Sequence, residues 1–147
     1  MRTPRTRAEP ARIADADYEA LATFRRALRQ FLAFSESAAR AAGIPPRQHQ
    51  ALLAIRGRAG GPPVTVGRLA KDLLIAPHSA AELVDRLVAA GLLAKSKPLA
   101  ERRRVELSLT DRADEVLRSL SEAHLAELRT IGPQLIRQLQ AIQKGRD

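Results

Sequence analysis

His78, Ser79, Glu82 and Arg86 lie at the leading end and along one face of a short helical pattern, and Lys95, Arg102, Arg103 and Arg104 follow in a basic hairpin. These residue types suit hydrogen bonding and charge neutralisation rather than bond making. A serine hydroxyl donates or accepts, a glutamate accepts from a cytosine amino group, and a helix N-terminus favours a nearby phosphate. Arg86 is placed to meet a phosphate or to pair with Asp85 or Glu82. Each group also has a plainer use: Ser79 as a helix cap, His78 as cover for a turn, the arginines as a solvated hairpin tip. His78 and Glu82 share the i, i+4 spacing that chelates metals, but no third ligand stands near them and the chain has no cysteine. Neither a metal nor a cofactor is expected.

Turnover is not expected either. The chain has no G-x-S-x-G, no H-E-x-x-H and no glycine-rich phosphate loop, so an enzyme is disfavoured. Without cysteine there are no disulfides and no thiol redox chemistry. No apolar run approaches bilayer length, and Met1 to Arg12 lack the apolar core of a signal peptide, which points to a cytoplasmic protein with no membrane partner.

The net charge of +9 is unevenly spread. Arg2, Arg5, Arg7 and Arg12 face only Glu9 in the first twelve residues. Residues 47–109 hold a second excess, whereas residues 13–46 and 110–147 are each balanced. A concentrated basic region attracts phosphates and releases their counterions, although a charge run is often just a solvated face.

The elements that must position these groups are mostly helical. At 147 residues the chain fits one domain with a real core, and with 3% aromatic residues that core is built from Leu, Ala, Ile and Val. Residues 1–14 read as a flexible basic tail, either a minor-groove arm or simply solvated. Tyr18, Leu21, Phe24, Leu28, Phe31 and Leu32 then recur by threes and fours in a helix closed by Gly43. A second helix starts at Pro46 or Arg47 with Leu52, Leu53 and Ile55 inward. Val64-Thr65-Val66 forms a short strand or leads into a third helix, Gly67–Leu74, with Thr65 as N-cap and Leu69, Ala70 and Leu73 buried. The fourth helix, Pro77–Ala90, buries Ala80, Leu83, Val84 and Leu87 and ends at Gly91. Strand periodicity follows in residues 92–96 and 104–109. Thr110 caps a long helix whose stripe, Leu117, Leu120, His124, Leu128, Ile131, Leu135, Leu139 and Ile142, crosses a break at Gly132-Pro133. That stripe is too long for a small winged module to cover, so part of it should meet another subunit. His49 and His124 are placed at the rim of the core, His124 with the option of titrating at a dimer interface.

From Tyr18 to Ile142 the chain resembles the MarR family of winged helix-turn-helix transcriptional regulators. The matching pieces are P-P-R-Q-H-Q-A-L-L-A-I-R at 45–56, V-G-R-L-A-K-D-L-L-I at 66–75, E-L-V-D-R-L-V-A-A-G-L-L at 82–93 and E-R-R-R-V-E-L-S-L-T at 101–110. The resemblance implies a mainly α fold with a small β-hairpin wing. A winged helix-turn-helix core spans about 47–110, and dimerisation helices flank it at about 15–43 and 111–144, all within one domain from residue 15 to 147. It implies a homodimer whose fourth helix enters the major groove while Arg103 enters the minor groove, leaving Arg102 and Arg104 for phosphates or for Glu101. The wing departs from the family pattern in having Glu101 where aspartate is usual, and Leu99-Ala100 where the tip is usually acidic.

The reading is a sequence-selective regulator of double-stranded DNA that binds an inverted-repeat operator, most simply a repressor relieved by a small-molecule effector. The alternative is a nonspecific nucleoid or architectural protein, which would use the same wing without a polar reading edge. A winged module that binds protein is a third class. One Tyr, three Phe and no Trp make an aromatic-lined effector pocket hard to assemble.

Overall fold

The computed structural model describes residues 12–98 and 104–144. The Arg-rich tail up to residue 11, together with Glu101, Arg102 and Arg103 of the wing, lies outside the described residues. Among the described residues, five helices and three short strands follow in the order α1 (Asp15–Ala41), α2 (Pro46–Arg56), β1 (Val64–Thr65), α3 (Val66–Leu73), α4 (Pro77–Ala89), β2 (Leu93–Ser96), β3 (Glu106–Leu109) and α5 (Asp111–Lys144). The fold is thus mainly helical with a small antiparallel sheet. Val64-Thr65 serves as a strand and Val66 opens the helix, so both alternatives for that segment are realised. The sheet order is β1-β3-β2, with Val64 opposite Leu107 and Leu93 opposite Leu109.

Helix starts follow local chemistry. Thr65 accepts a hydrogen bond from the Arg68 amide at 3.2 Å, as an N-cap should. Thr110 accepts from the Ala113 amide at 3.3 Å and donates to the Gly91 carbonyl at 2.8 Å, so one hydroxyl caps α5 and holds it to the end of α4. Gly91 has φ of 73°, and the turn it makes lets the Leu92 amide bond back to the Leu87 carbonyl at 3.0 Å. Leu74 takes the same left-handed conformation at φ 55° with a side chain 92% exposed. A β-carbon there costs roughly 1–2 kcal/mol, which α3 and α4 must outweigh by packing on both sides. Leu74 therefore lies just outside the helix that the sequence pattern extends to it.

The core sits where α2, α3, α4 and the root of α5 close over the sheet. Leu52, Leu69, Val84 and Leu87 are its fully buried large side chains, joined by Ile55, Leu83, Leu93, Leu107 and Leu117. Burying each such side chain stabilises by roughly 1.5–3 kcal/mol. Leu53, expected inward, is instead exposed. At about 100° per residue it stands off the arc that Ala51, Leu52, Ile55 and His49 share.

The expected break at Gly132-Pro133 is absent, and α5 runs through Pro133 as one helix. Proline removes a single backbone bond there, and Ile131 and Leu135 on either side line the same seam against Ala27 and Phe31 of α1. Of the α5 stripe, Leu117 and Leu120 are buried, while Leu128 and Leu139 are exposed.

His49 and His124, both placed by sequence at the rim, are in contact; His49 lies inside, whereas His124 is half-buried, as the rim reading expects. His49 is 3% exposed, and its ring centroid lies 4.9 Å from that of His124. Phe31 and Phe34 of α1 stand edge-on to His124 at 6.0 and 5.5 Å. The His124 Nδ1–H donates to the Leu120 carbonyl at 2.6 Å, which leaves Nε2 to accept from the Ser35 hydroxyl at 2.7 Å in the neutral ring. Burial first, and the neighbouring His124 second, hold the His49 pKa below its ordinary value of 6.5.

That depression sets a sign for pH dependence. Above 6.5 His49 is neutral whether folded or unfolded; below 6.5 the unfolded chain takes up a proton that the folded chain resists, so stability falls as pH falls. Chemical denaturation across that range should show the loss, and His49→Phe should flatten the His49 contribution to it. An unaltered slope in the variant would move the pH response elsewhere.

Candidate nucleic-acid interface

Helix α4 buries Ala80, Leu83, Val84 and Leu87, the i, i+3, i+4, i+7 set that faces inward on a helix. His78, Glu82, Asp85 and Arg86 are consequently turned outward, and Ser79 is half-buried. The helix begins with Pro77 after Ala76, which occupies the capping position without a side-chain cap. Ser79 is therefore not the cap of α4, and its hydroxyl is available to a ligand. His78, Ser79 and Glu82 come together on the first two turns, with Arg86 one turn further along the same outer side.

Lys95 on β2 reaches back to this helix. Its ammonium lies 2.6 Å from the Asp85 carboxylate, so the acid that sequence placed beside Arg86 pairs across to the wing strand instead. Arg104 is exposed where the chain enters β3. Arg102 and Arg103 lie outside the described residues. Of the eight site residues read from sequence, the structure thus brings five to α4 and its pairing strand and sets Arg104 at the base of the wing.

A second basic group was not visible in the sequence. Arg58, in the loop after α2, binds Asp72 of α3 with both Nε and Nη2, the latter at 2.7 Å. Arg68 approaches the same carboxylate at 3.4 Å. The hydrogen bonds from Arg58, and then the charges of Arg58 and Arg68, hold the Asp72 carboxyl below its usual range. Arg58, Arg68, Lys71 and Arg104 border an open concavity of about 810 Å³ that Pro62, Pro63 and Gly67 also line. The Arg68–Asp72 spacing of i, i+4 was a readable signal. Arg58 joins from across a loop, and nothing local announces it.

Bonds at the root of α5 fix the whole unit. Arg56 Nε donates to Asp114 at 3.1 Å, and Arg112 Nη1 donates to the Ala90 carbonyl at 3.1 Å. The long helix is thereby tied to both α2 and the end of α4.

Residues 42–104 match the profile of the MarR family. A search of curated proteins finds no match. Among solved structures, the chain is similar to RV1404 from Mycobacterium tuberculosis, with 27% identity, 96% of this chain and 97% of that chain covered, and a TM-score of 0.67. It is also similar to AbsC, a MarR family transcriptional regulator from Streptomyces coelicolor, at 18% identity, 92% and 93% coverage and a TM-score of 0.72. A mutant of MepR from S. aureus, bound to an oligodeoxyribonucleotide, matches at 15% identity over 88% of this chain and 98% of that one, with a TM-score of 0.67. The resemblance read from sequence holds both in the 42–104 segment and in the winged helix-turn-helix fold.

The Asp85–Lys95 pair has both side chains well exposed, a setting in which ion pairs contribute little. Asp85→Asn should change unfolding free energy by less than about 1 kcal/mol, measured by denaturant titration. A larger loss would make the pair an anchor of the wing strand.

Proposed function

We propose that this chain, with its MarR-family segment in a winged helix-turn-helix fold, is a sequence-selective, duplex-DNA-binding transcriptional regulator that acts as a homodimer. One observation carries the reading: the buried stripe of α4 leaves His78, Ser79 and Glu82 together on its outer leading turns, beside a basic two-stranded wing. A polar edge of that kind, small enough for the major groove, reads bases, while Arg86, Lys95, Arg102 and Arg104 serve phosphates and Arg103 serves the minor groove. The relatives support it, since AbsC is a transcriptional regulator and the MepR mutant is held on an oligodeoxyribonucleotide.

The dimer is argued from unpartnered apolar surface. Tyr18, Leu21, Leu28 and Leu32 on α1 and Leu125, Leu128, Ile136 and Leu139 on α5 are all exposed in the single chain. A second copy would cover them and present two recognition helices to an inverted repeat with half-sites about 10 bp apart. By the family resemblance the regulator is a repressor released by a small effector. Its action is binding rather than turnover and its compartment is the cytoplasm. No described helix is long and apolar enough to cross a membrane.

Selection of bound duplexes from a random library at near-physiological salt tests this directly. An enriched inverted repeat is expected, and Ser79→Ala with Glu82→Ala should flatten the preference while sparing most nonspecific affinity. Retention without enrichment would favour an architectural protein, and no retention even at low salt would favour a protein partner. Leu32→Glu, at a site 53% exposed in the single chain, should leave the winged module folded and yield a monomer in sedimentation. A dimer that survives it would place the interface elsewhere.

A further inference from the structure

We propose that Arg58, Arg68 and Lys71 form a binding site for a backbone phosphate of duplex DNA, separate from the reading edge of α4, with Asp72 as the residue that positions the two arginines. The inference rests on the DNA-binding reading above and adds an anchor point that neither the sequence pattern nor the wing supplies.

Cations from two elements converge here. Arg58 comes from the loop after α2, and Arg68 and Lys71 come from α3, around a concavity whose lining residues include no acid. Asp72 neutralises one of these charges and takes two hydrogen bonds from Arg58. A guanidinium has five N–H donors, so Arg58 keeps three and Arg68 keeps most of its own. Both side chains stay part-exposed, at 37% and 49%, with donors left over for a ligand. The carboxylate therefore acts as a brace: it fixes two forked side chains that would otherwise sample many rotamers, and less entropy is lost when a phosphate arrives.

The shape fits a sugar-phosphate strand better than a small enclosed anion. The concavity is open, and a β-carbon added to Gly67 would meet no atom within 4 Å, so a backbone has room to come close. Pro62 and Pro63 also line the concavity and stiffen the loop that carries them. Arg104, at the base of the wing, borders the same concavity, which makes the basic surface continuous from α3 to the hairpin. In a helix-turn-helix the helix before the recognition helix crosses the backbone, which is where α3 stands relative to α4.

The test uses the full chain with one duplex that it selects and one scrambled duplex, each titrated over a range of salt. Arg68→Gln with Lys71→Gln, both exposed sites, should lower the log–log salt slope by about one for each phosphate that is no longer neutralised, and weaken both duplexes by the same factor. The ratio between selected and scrambled DNA should stay at its wild-type value. Unchanged slope and affinity would overturn the proposal while leaving the regulator reading intact; a wild-type chain that binds no duplex would sink both. Asp72→Asn separates bracing from charge. Removing an acid tightens DNA binding if charge alone matters, whereas loss of the brace loosens it, and Asp72→Glu should restore part of the loss. Tighter binding by Asp72→Asn would overturn the positioning role. Ethylation interference on the wild-type chain gives an independent reading: a phosphate whose modification blocks binding should stop interfering in the Arg68→Gln, Lys71→Gln variant, and persistence of the full pattern would overturn the site.

Discussion

The inward commitment of one helix face governs what this chain can present to a partner. Ala80, Leu83, Val84 and Leu87 of α4 are all buried, and the three larger ones together account for several kcal/mol of apolar burial. Turning α4 by one residue, about 100°, would bring Asp85 or Arg86 toward the core and expose a leucine. Burying either charge without a partner costs more than the helix gains from any single apolar contact. The outward set of His78, Ser79, Glu82 and Arg86 is therefore fixed by packing, before any ligand is considered.

A fixed helix is useful only if the wing and the long helix are held in step with it, and that depends on the short junction after α4. Gly91 turns the chain, the Leu92 amide returns to Leu87, Thr110 donates to Gly91, and Arg112 donates to Ala90. Within a few residues the end of α4, the start of the wing and the start of α5 share backbone partners. The Thr110 hydroxyl both accepts from Ala113 and donates to Gly91, so a cap worth about 1 kcal/mol in an isolated helix here also joins two elements. This junction and the Arg56–Asp114 bond tie the root of α5 to α4 and α2, while the His124–Ser35 bond ties its middle to α1.

What was legible in the sequence is what depends on local spacing. The α4 stripe, the Thr65 and Thr110 caps and the alternation of the wing strands all follow from periods and capping chemistry that a single segment contains. Leu53 was misplaced because adjacent leucines in a short helix do not say which is inside. Pro133 misled because a proline ordinarily ends a helix, whereas α5, which lies along α1, runs through it at the loss of one backbone bond. The His49–His124 contact and the Arg58–Asp72 brace were invisible for one reason: each joins residues that only the tertiary fold makes neighbours. The candidate site divided along the same line, with the α4 edge readable and the basic concavity not.

Charge and apolar surface are allotted to different parts of the chain, and the allotment bears on assembly. The balanced stretches, 13–46 and 110–147, contain the two long helices, and these carry the exposed Leu28, Leu32, Leu128 and Leu139. The basic excess within the described elements lies between them, in the winged module. Two copies meeting through neutral apolar helices gain burial without bringing their positive regions together, since screening over about 10 Å at ordinary salt weakens what repulsion remains. Reversing the arrangement, with basic dimer helices and a neutral module, would oppose both association and phosphate binding. In the proposed dimer one distribution of charge therefore serves two ends, letting the helices pair while the modules keep their full attraction for a polyanion.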